Sequence, residues 1–242
     1  MYNFFVNENQ FLDNKVFIKG NDFNHVKNVL RMKNGEKFYV SNKVSGDSYL
    51  VNLDSYSNDE VICNIIEKMD SKESIVKVTL FQGLPKADKM EYIIQKSVEL
   101  GVYNIVPVDM KFCVAKLNNE EKKLSRWQTI SEAAAKQSKR NIIPKIENKI
   151  SFKNMLGILN DFDLVIIAYE NENKTNLKEI LQENKNINNI AIIIGPEGGL
   201  AQDEVEQLIE NGAKSASIGK RILRTETASL AMLSMIMYEF EF

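Results

Sequence analysis

The sequence predicts an α/β chain: a small β-rich unit first, then a larger, mainly parallel sheet covered by helices on both faces. Three observations predict it. Up to about residue 70, short segments rich in β-branched and aromatic residues are separated by turn residues. From residue 76 onward, apolar runs alternate with amphipathic stretches, as strands and helices do in turn. Residues 190–194 form an unbroken apolar run ended by Gly195, which reads as a strand buried on both faces.

The first unit, residues 1–70, is expected to hold strands at 16–18, 37–41, 48–53 and 61–66, with turns at Gly20, Gly35, Gly46 and Asn58. Asp22 is expected to cap a helix running to Met32, with Phe23, Val26, Val29 and Leu30 on its apolar side. Lys27 and Arg31 would then stand at i and i+4 on an exposed face, beside Lys33, where they could meet phosphates. A small barrel with one helix fits this pattern. Residues 70–75 are polar and read as a linker.

The second unit, residues 71–242, offers strands at 76–82, 103–108, 164–168, 190–194 and 215–218. Helices are expected near 87–100, 120–139, 151–160, 175–184, 202–211 and 227–240. Asp203, Glu204 and Glu206 near the start of the fifth suit the positive end of the helix dipole, and Gly212 suits its end. Thr225 is expected to cap the last helix. That helix carries Leu230, Met232, Leu233, Met235, Ile236 and Tyr238 with almost no polar face. It is expected to be covered by its own chain, by a second copy, or by both.

Composition narrows the function. No apolar run approaches a membrane span, and the N-terminus lacks the charged-then-apolar layout of a signal peptide. One histidine and two distant cysteines, Cys63 and Cys113, leave no all-protein zinc site and suit a reducing cytoplasm. The net charge of −2 argues against indiscriminate nucleic-acid binding. Basic residues are nevertheless segregated: residues 19–43 hold six against two acidic, and residues 111–145 nine against three. Such segments either solvate a surface or form a local basic face.

Two glycine-containing turns follow strands in the C-terminal third, at Gly195-Pro196-Glu197-Gly198-Gly199 and around Gly219. Neither has the ending of a P-loop or the spacing of a dinucleotide fingerprint. Both stand at C-terminal strand ends, where open α/β sheets bind ligands. The first, followed by Ile218-Gly219-Lys220-Arg221-Ile222-Leu223-Arg224-Thr225-Glu226-Thr227-Ala228, resembles the C-terminal signature of the RsmE family, with Ile218 where leucine is usual. Lys89-Met90-Glu91 with Gln95-Lys96 and Glu99-Leu100-Gly101-Val102 resembles a second family segment, and Trp127, Glu132, Gln137-Ser138, Arg140 and Pro144 a third. His25, Leu30-Arg31-Met32 and Gly35 resemble its N-terminal element.

The resemblance implies a SPOUT-type parallel sheet with a trefoil knot, preceded by a PUA-like β-barrel. It also implies S-adenosyl-L-methionine as cofactor and N3 of a uridine in small-subunit (16S) ribosomal RNA as target. SPOUT proteins are usually dimers, which suits a homodimer built on the last helix. Alternatives are a SPOUT enzyme acting on another RNA site or a ribose 2′-hydroxyl, and a non-catalytic RNA-binding or assembly protein.

Methyl transfer to a uracil N3 needs a positioned donor, loss of the N3 proton, and stabilisation of the charge left on the base. Ala168, Gly195, Gly199, Ile218, Leu223 and Thr225 are the candidates for the cofactor wall. Arg224 and Arg140 are the candidates for the charge, since a guanidinium near O2 or O4 favours the anion. Glu197 and Glu226 could accept the proton or brace an arginine. His25, Lys27, Arg31, Lys33 and Lys96 are the candidate RNA contacts. Lys96 with Glu99 also reads as a plain surface pair. No metal is expected.

Overall fold

The computed structural model describes residues 1–117, 119–172 and 175–241. The chain forms two compact units: Met1–Glu73 with Ala135–Ile143, and Ser74–Ala134 with Pro144–Phe242. The first therefore extends slightly past residue 70 and also recruits a segment from mid-chain.

The N-terminal unit is one six-stranded sheet. In chain order its elements are β1 (Asn3–Val6), β2 (Phe11–Leu12), β3 (Lys15–Lys19), α1 (Gly20–Asn24), β4 (Lys37–Asn42), β5 (Ser48–Tyr56) and β6 (Glu60–Met69). The spatial order is β1-β4-β5-β6-β3-β2. Only β1 and β4 pair in parallel. Two register shifts between β5 and β6 sharpen the local twist. Alternation places Val16 and Ile18 of β3, and Phe38 and Val40 of β4, in a core with Phe4, Val51, Leu53 and Val61. Each such side chain contributes about 1.5–3 kcal/mol on burial. The Phe4 and Phe38 rings meet edge to face at 5.4 Å. Strands β1 and β2 were not expected from the sequence. Asn3-Phe4-Phe5-Val6 is rich in strand formers, but it is short and has no turn residue before it.

The expected helix to Met32 does not form as one piece. α1 is followed by a wider turn over His25–Val29, in which the Leu30 N–H donates to His25 O at 2.9 Å. Arg31 then takes a left-handed φ of 52°. In a regular helix Val26 and Met32 would lie about 120° apart; here both are buried in the core. Asp22 is not the cap, because the helix starts at Gly20 and the Asp22 carboxylate pairs with Lys136 at 3.0 Å. The i, i+4 face of Lys27 and Arg31 therefore does not exist.

The second unit is a seven-stranded sheet. Its elements are β7 (Lys77–Gly83), α2 (Lys89–Glu99), β8 (Asn104–Asp109), α3 (Glu120–Ser138), β9 (Lys145–Ile146), β10 (Ile150–Ser151), α4 (Phe152–Leu156), β11 (Leu164–Ala168), α5 (Leu177–Glu183), β12 (Asn189–Ile194), α6 (Gln202–Glu210), β13 (Lys214–Ala216) and α7 (Thr225–Glu241). The order is β10-β8-β7-β12-β11-β13, with β9 also on β8. Every pairing is parallel. Strands β9 and β10 are two residues each, too short to leave a periodic signal. α4 ends near Gly157 and a single tight turn, Leu159–Asp161, completes the stretch expected as one helix.

From β7 the chain first builds toward β8 and β10; the later strands β12, β11 and β13 lie on the opposite side. The reversal falls between β7 and β12, which is where such sheets bind ligands. Phe81, Val106, Ile167 and Ile193 share one core cluster with Met155, Val205 and Leu208 of α4 and α6. β7 and β12 also pack against α7.

α7 is covered on one side by its own unit. Ala228, Ser229, Met232, Leu233, Ile236 and Met237 are buried, while Met235 and Tyr238 are 43% and 72% exposed. The chain itself covers this side of α7 and leaves the side of Met235 and Tyr238 uncovered. Among the described residues, no helix is long and apolar enough to cross a membrane.

Candidate active site

The loops leaving β11, β12 and β13, with the start of α7, enclose a cavity of about 620 Å³. The β12 loop makes its floor. A Cβ on Gly195 would lie 2.7 Å from Gly199 C and 2.9 Å from Gly199 O, so the loop closes on itself at a distance only glycine permits. Gly199 has φ of 72°, and its N–H donates to Pro196 O at 2.9 Å. The Thr225 hydroxyl donates to Gly195 O at 2.6 Å and accepts from Gln82 Nε2 at 2.9 Å. Thr225 is thus the first residue of α7 and joins the two loops with the hydroxyl that was expected to cap the helix.

Charge is arranged at the rim. Lys89 Nζ lies 3.1 Å from Glu197 and 3.3 Å from Glu226 Oε2, linking the first loop to α7. Glu226 Oε2 is buried and the contact is not directed along a hydrogen bond, so it is an ion pair only. The Lys86 N–H donates to Glu197 at 3.0 Å. Burial opposes ionisation of Glu197. The Lys86 N–H, the residue's own N–H and the Lys89 ammonium outweigh it and hold the carboxyl below its usual range. The Glu197 hydrogen bond raises the Lys89 pKa against the opposing effect of burial, and Glu226 adds to the rise. Both groups are charged at neutral pH.

Lys220, Arg221 and Arg224 line the cavity and are exposed. None makes a side-chain hydrogen bond or ion pair among the described residues, and the Arg224 guanidinium is available to a ligand. Glu170, on the loop after β11, stands across the cavity; its Oε1 would be 3.7 Å from a Cβ on Gly199.

The structure brings together Ala168, Gly195, Glu197, Gly199, Ile218, Leu223, Arg224 and Thr225, all of which line the cavity. It does not bring Arg140. That side chain is buried in the N-terminal unit, where its Nε lies 3.1 Å from Glu73 Oε2 and its Nη2 is closer still. The same carboxylate accepts from Asn141 N at 2.7 Å. A guanidinium already desolvated and neutralised in this way has no free edge to offer a base.

Lys96 pairs with Glu99 at 2.8 Å on α2, the surface pair its spacing allows. In the N-terminal unit His25 is exposed with its ring 6.0 Å from Phe4, and Lys27 sits over the Phe23 and Tyr56 rings. Arg31 and Lys33 are exposed, with no side-chain partner among the described residues. Sequence reasoning missed the rim role of Lys89, although the segment holding it carried part of the resemblance. Nothing local marked Glu170 or Gln82.

Residues 72–237 match the family described as RNA methyltransferase domain, and residues 18–47 match the RNA methyltransferase PUA domain. Ribosomal RNA small subunit methyltransferase E of Mesomycoplasma hyopneumoniae is 39% identical over 237 residues, covering 97% of this chain and 98% of that protein. The chain belongs to the ribosomal RNA small subunit methyltransferase E family. The Bacillus subtilis member is 38% identical over 231 residues, covering 93% and 90% of the two chains. The crystal structure of the Neisseria gonorrhoeae member, bound to S-adenosyl methionine, superposes with a TM-score of 0.86 at 31% identity, covering 98% and 97%. With that membership the C-terminal sheet is of SPOUT type and the N-terminal unit PUA-like, as the resemblance implied.

Proposed function

We propose that this chain methylates N3 of a uridine in small-subunit ribosomal RNA with S-adenosylmethionine as donor. The observation that carries the reading is one cavity that joins bare glycine backbone to an unpaired guanidinium. Its volume of about 620 Å³ suits a ligand of cofactor size. The lining fits this donor: Ala168, Ile194, Ile218 and Leu223 offer apolar wall to an adenine, and the Glu170 carboxylate suits a cationic ligand. When bound, the donor supplies an electrophilic methyl on a sulfonium.

The chain's own residues do the rest. Gly195 and Gly199 let backbone approach the donor and fix its position, which is a large part of catalysis in a two-substrate transfer. Arg224 stands beside the cavity with its donors free and stabilises negative charge on O2 or O4 of the base, easing loss of the N3 proton. Glu197 holds Lys89 and the Lys86 N–H. Its lowered pKa makes it a weak base, so we assign it to holding the loop rather than to taking the proton.

Arg31 and Lys33 meet RNA phosphates, with the rest of the N-terminal unit supplying affinity rather than chemistry. The active form is a homodimer in a bacterial cytoplasm, with the uncovered side of α7 around Met235 and Tyr238 in the interface. Small subunits from cells lacking the gene, incubated with the protein and donor, should yield 3-methyluridine on nucleoside mass analysis. Label in a ribose 2′-O-methyl group or another base would refute the N3 assignment.

A further inference from the structure

The cavity rests on a buried polar chain behind its wall. Gln82, at the end of β7, is completely buried, as is Ser229 on α7; Thr225 is 5% exposed. Gln82 Nε2 lies 2.9 Å from Gly83 O and 2.9 Å from Thr225 Oγ1. Ser229 Oγ lies 2.5 Å from Gln82 Oε1 and 2.9 Å from Thr225 O. Thr225 Oγ1 lies 2.6 Å from Gly195 O.

Chemistry fixes every direction in this chain. Gly195 O can only accept, so the single Thr225 hydroxyl proton points to it. Thr225 Oγ1 must then accept from residue 82. Gly83 O also can only accept, so residue 82 must present two donors on one atom. Its other atom faces Ser229 Oγ at 2.5 Å and can only accept, so the single Ser229 proton goes there and the 2.9 Å contact to Thr225 O is left without one. A primary amide is the side chain that meets all three demands, and glutamine places it at the required reach.

We infer that Gln82 is a positioning residue for methyl transfer: through Thr225 it sets the Gly195 carbonyl, and with it the first cavity loop against the start of α7. It touches neither donor nor base. The inference rests on the reading of the cavity as the donor site, and it adds a residue that the cavity lining does not contain.

Gln82→Glu tests it. The variant is close in shape, but an ionised carboxylate donates nothing to Thr225 or Gly83, whereas a protonated one regains one donor. By calorimetry at pH 9 the variant should bind S-adenosylmethionine about tenfold or more weakly, the effect of leaving buried polar groups unpaired. Its affinity relative to the wild type at the same pH should recover at pH 5.5, a ratio that removes the titration of the donor's own amino group. A role in packing alone would not give this recovery. A folded variant with wild-type affinity at pH 9, or with a weakening relative to the wild type that ignores pH, overturns the inference. Should Gln82→Glu fail to fold, Ser229→Ala replaces it: it orphans Gln82 Oε1 and should weaken binding about threefold or more. Unchanged affinity there also overturns the inference. A wild type that binds no donor sinks the reading of the site itself, and is told apart because no variant is needed to see it.

Discussion

Replacing Gly195 by alanine adds one methyl group at the tightest point of the cavity. The new Cβ would lie 2.7 Å from Gly199 C, 2.9 Å from Gly199 O and 3.0 Å from Leu200 N. Carbon contacts are most favourable at roughly 3.5–4.0 Å, so the loop must open by about 1 Å. The atoms met are all backbone, and no side chain can swing away. The Thr225 hydrogen bond to Gly195 O, already 2.6 Å, must move with the loop. Overpacking of this kind costs about 1–3 kcal/mol. If the strain is released by opening the loop, affinity for S-adenosylmethionine falls roughly five- to 150-fold, at 1.4 kcal/mol per decade. Gly199→Ala is the control. Within the protein its nearest contact would be Glu170 Oε1 at 3.7 Å, so only the φ of 72° resists folding, at about 1–2 kcal/mol; the added Cβ obstructs the donor separately. Calorimetry with the donor, beside thermal melts of both variants, gives the ranking. Gly195→Ala binding as tightly as wild type, or Gly199→Ala losing more thermal stability than Gly195→Ala, would refute the account of the loop.

Four further outcomes follow from the same geometry. Arg31→Ala should weaken RNA binding and reduce the slope of log affinity against log salt by about one, leaving donor affinity unchanged. Arg140→Met should destabilise the protein by about 3 kcal/mol in a denaturant melt, since it leaves Glu73 without its charge partner; the folded fraction should keep its turnover. Glu197 titrates below 4.5 in the folded protein, so its contribution to the rim is present above that value and lost as pH falls through the folded pKa. Lys89 titrates above 10.5, so its contribution is lost only as pH rises through its own folded value. Neither residue therefore changes charge between about pH 5 and pH 10, and a step in donor affinity there beyond that of the donor's own amino group, at about pH 8, would count against the assigned charges. Tyr238→Lys should yield folded monomers by light scattering, whereas Leu233→Lys, at a position with no exposure, should unfold the chain. An assembly unchanged by Tyr238→Lys would remove that face of α7 from the interface.

The sequence by itself determined the alternation of the second unit, because burial on a strand or a helix leaves a period that local reading detects. Leu164–Ala168 appears as expected, and the ends of β7, β8 and β12 shift by one residue. It also determined the two loops, since a tight approach at Gly195 requires a glycine whatever lies around it. The tertiary structure decided the partners. Arg140 looked like a base-facing cation because nothing in residues 111–145 names Glu73 as its acceptor. Thr225 looked like a helix cap because a hydroxyl before a helix usually is one; its bonds to Gly195 and Gln82 span 30 and 143 residues of chain. The turn after His25 widened so that Val26 and Met32 could share a core, a demand set by the sheet beneath. The apolar composition of α7 left open whether its own chain or a second copy covers it; packing against β7, β12 and α2 covers one side. Periodicity records how much apolar surface an element has, whereas which surface meets it depends on residues far away in the chain.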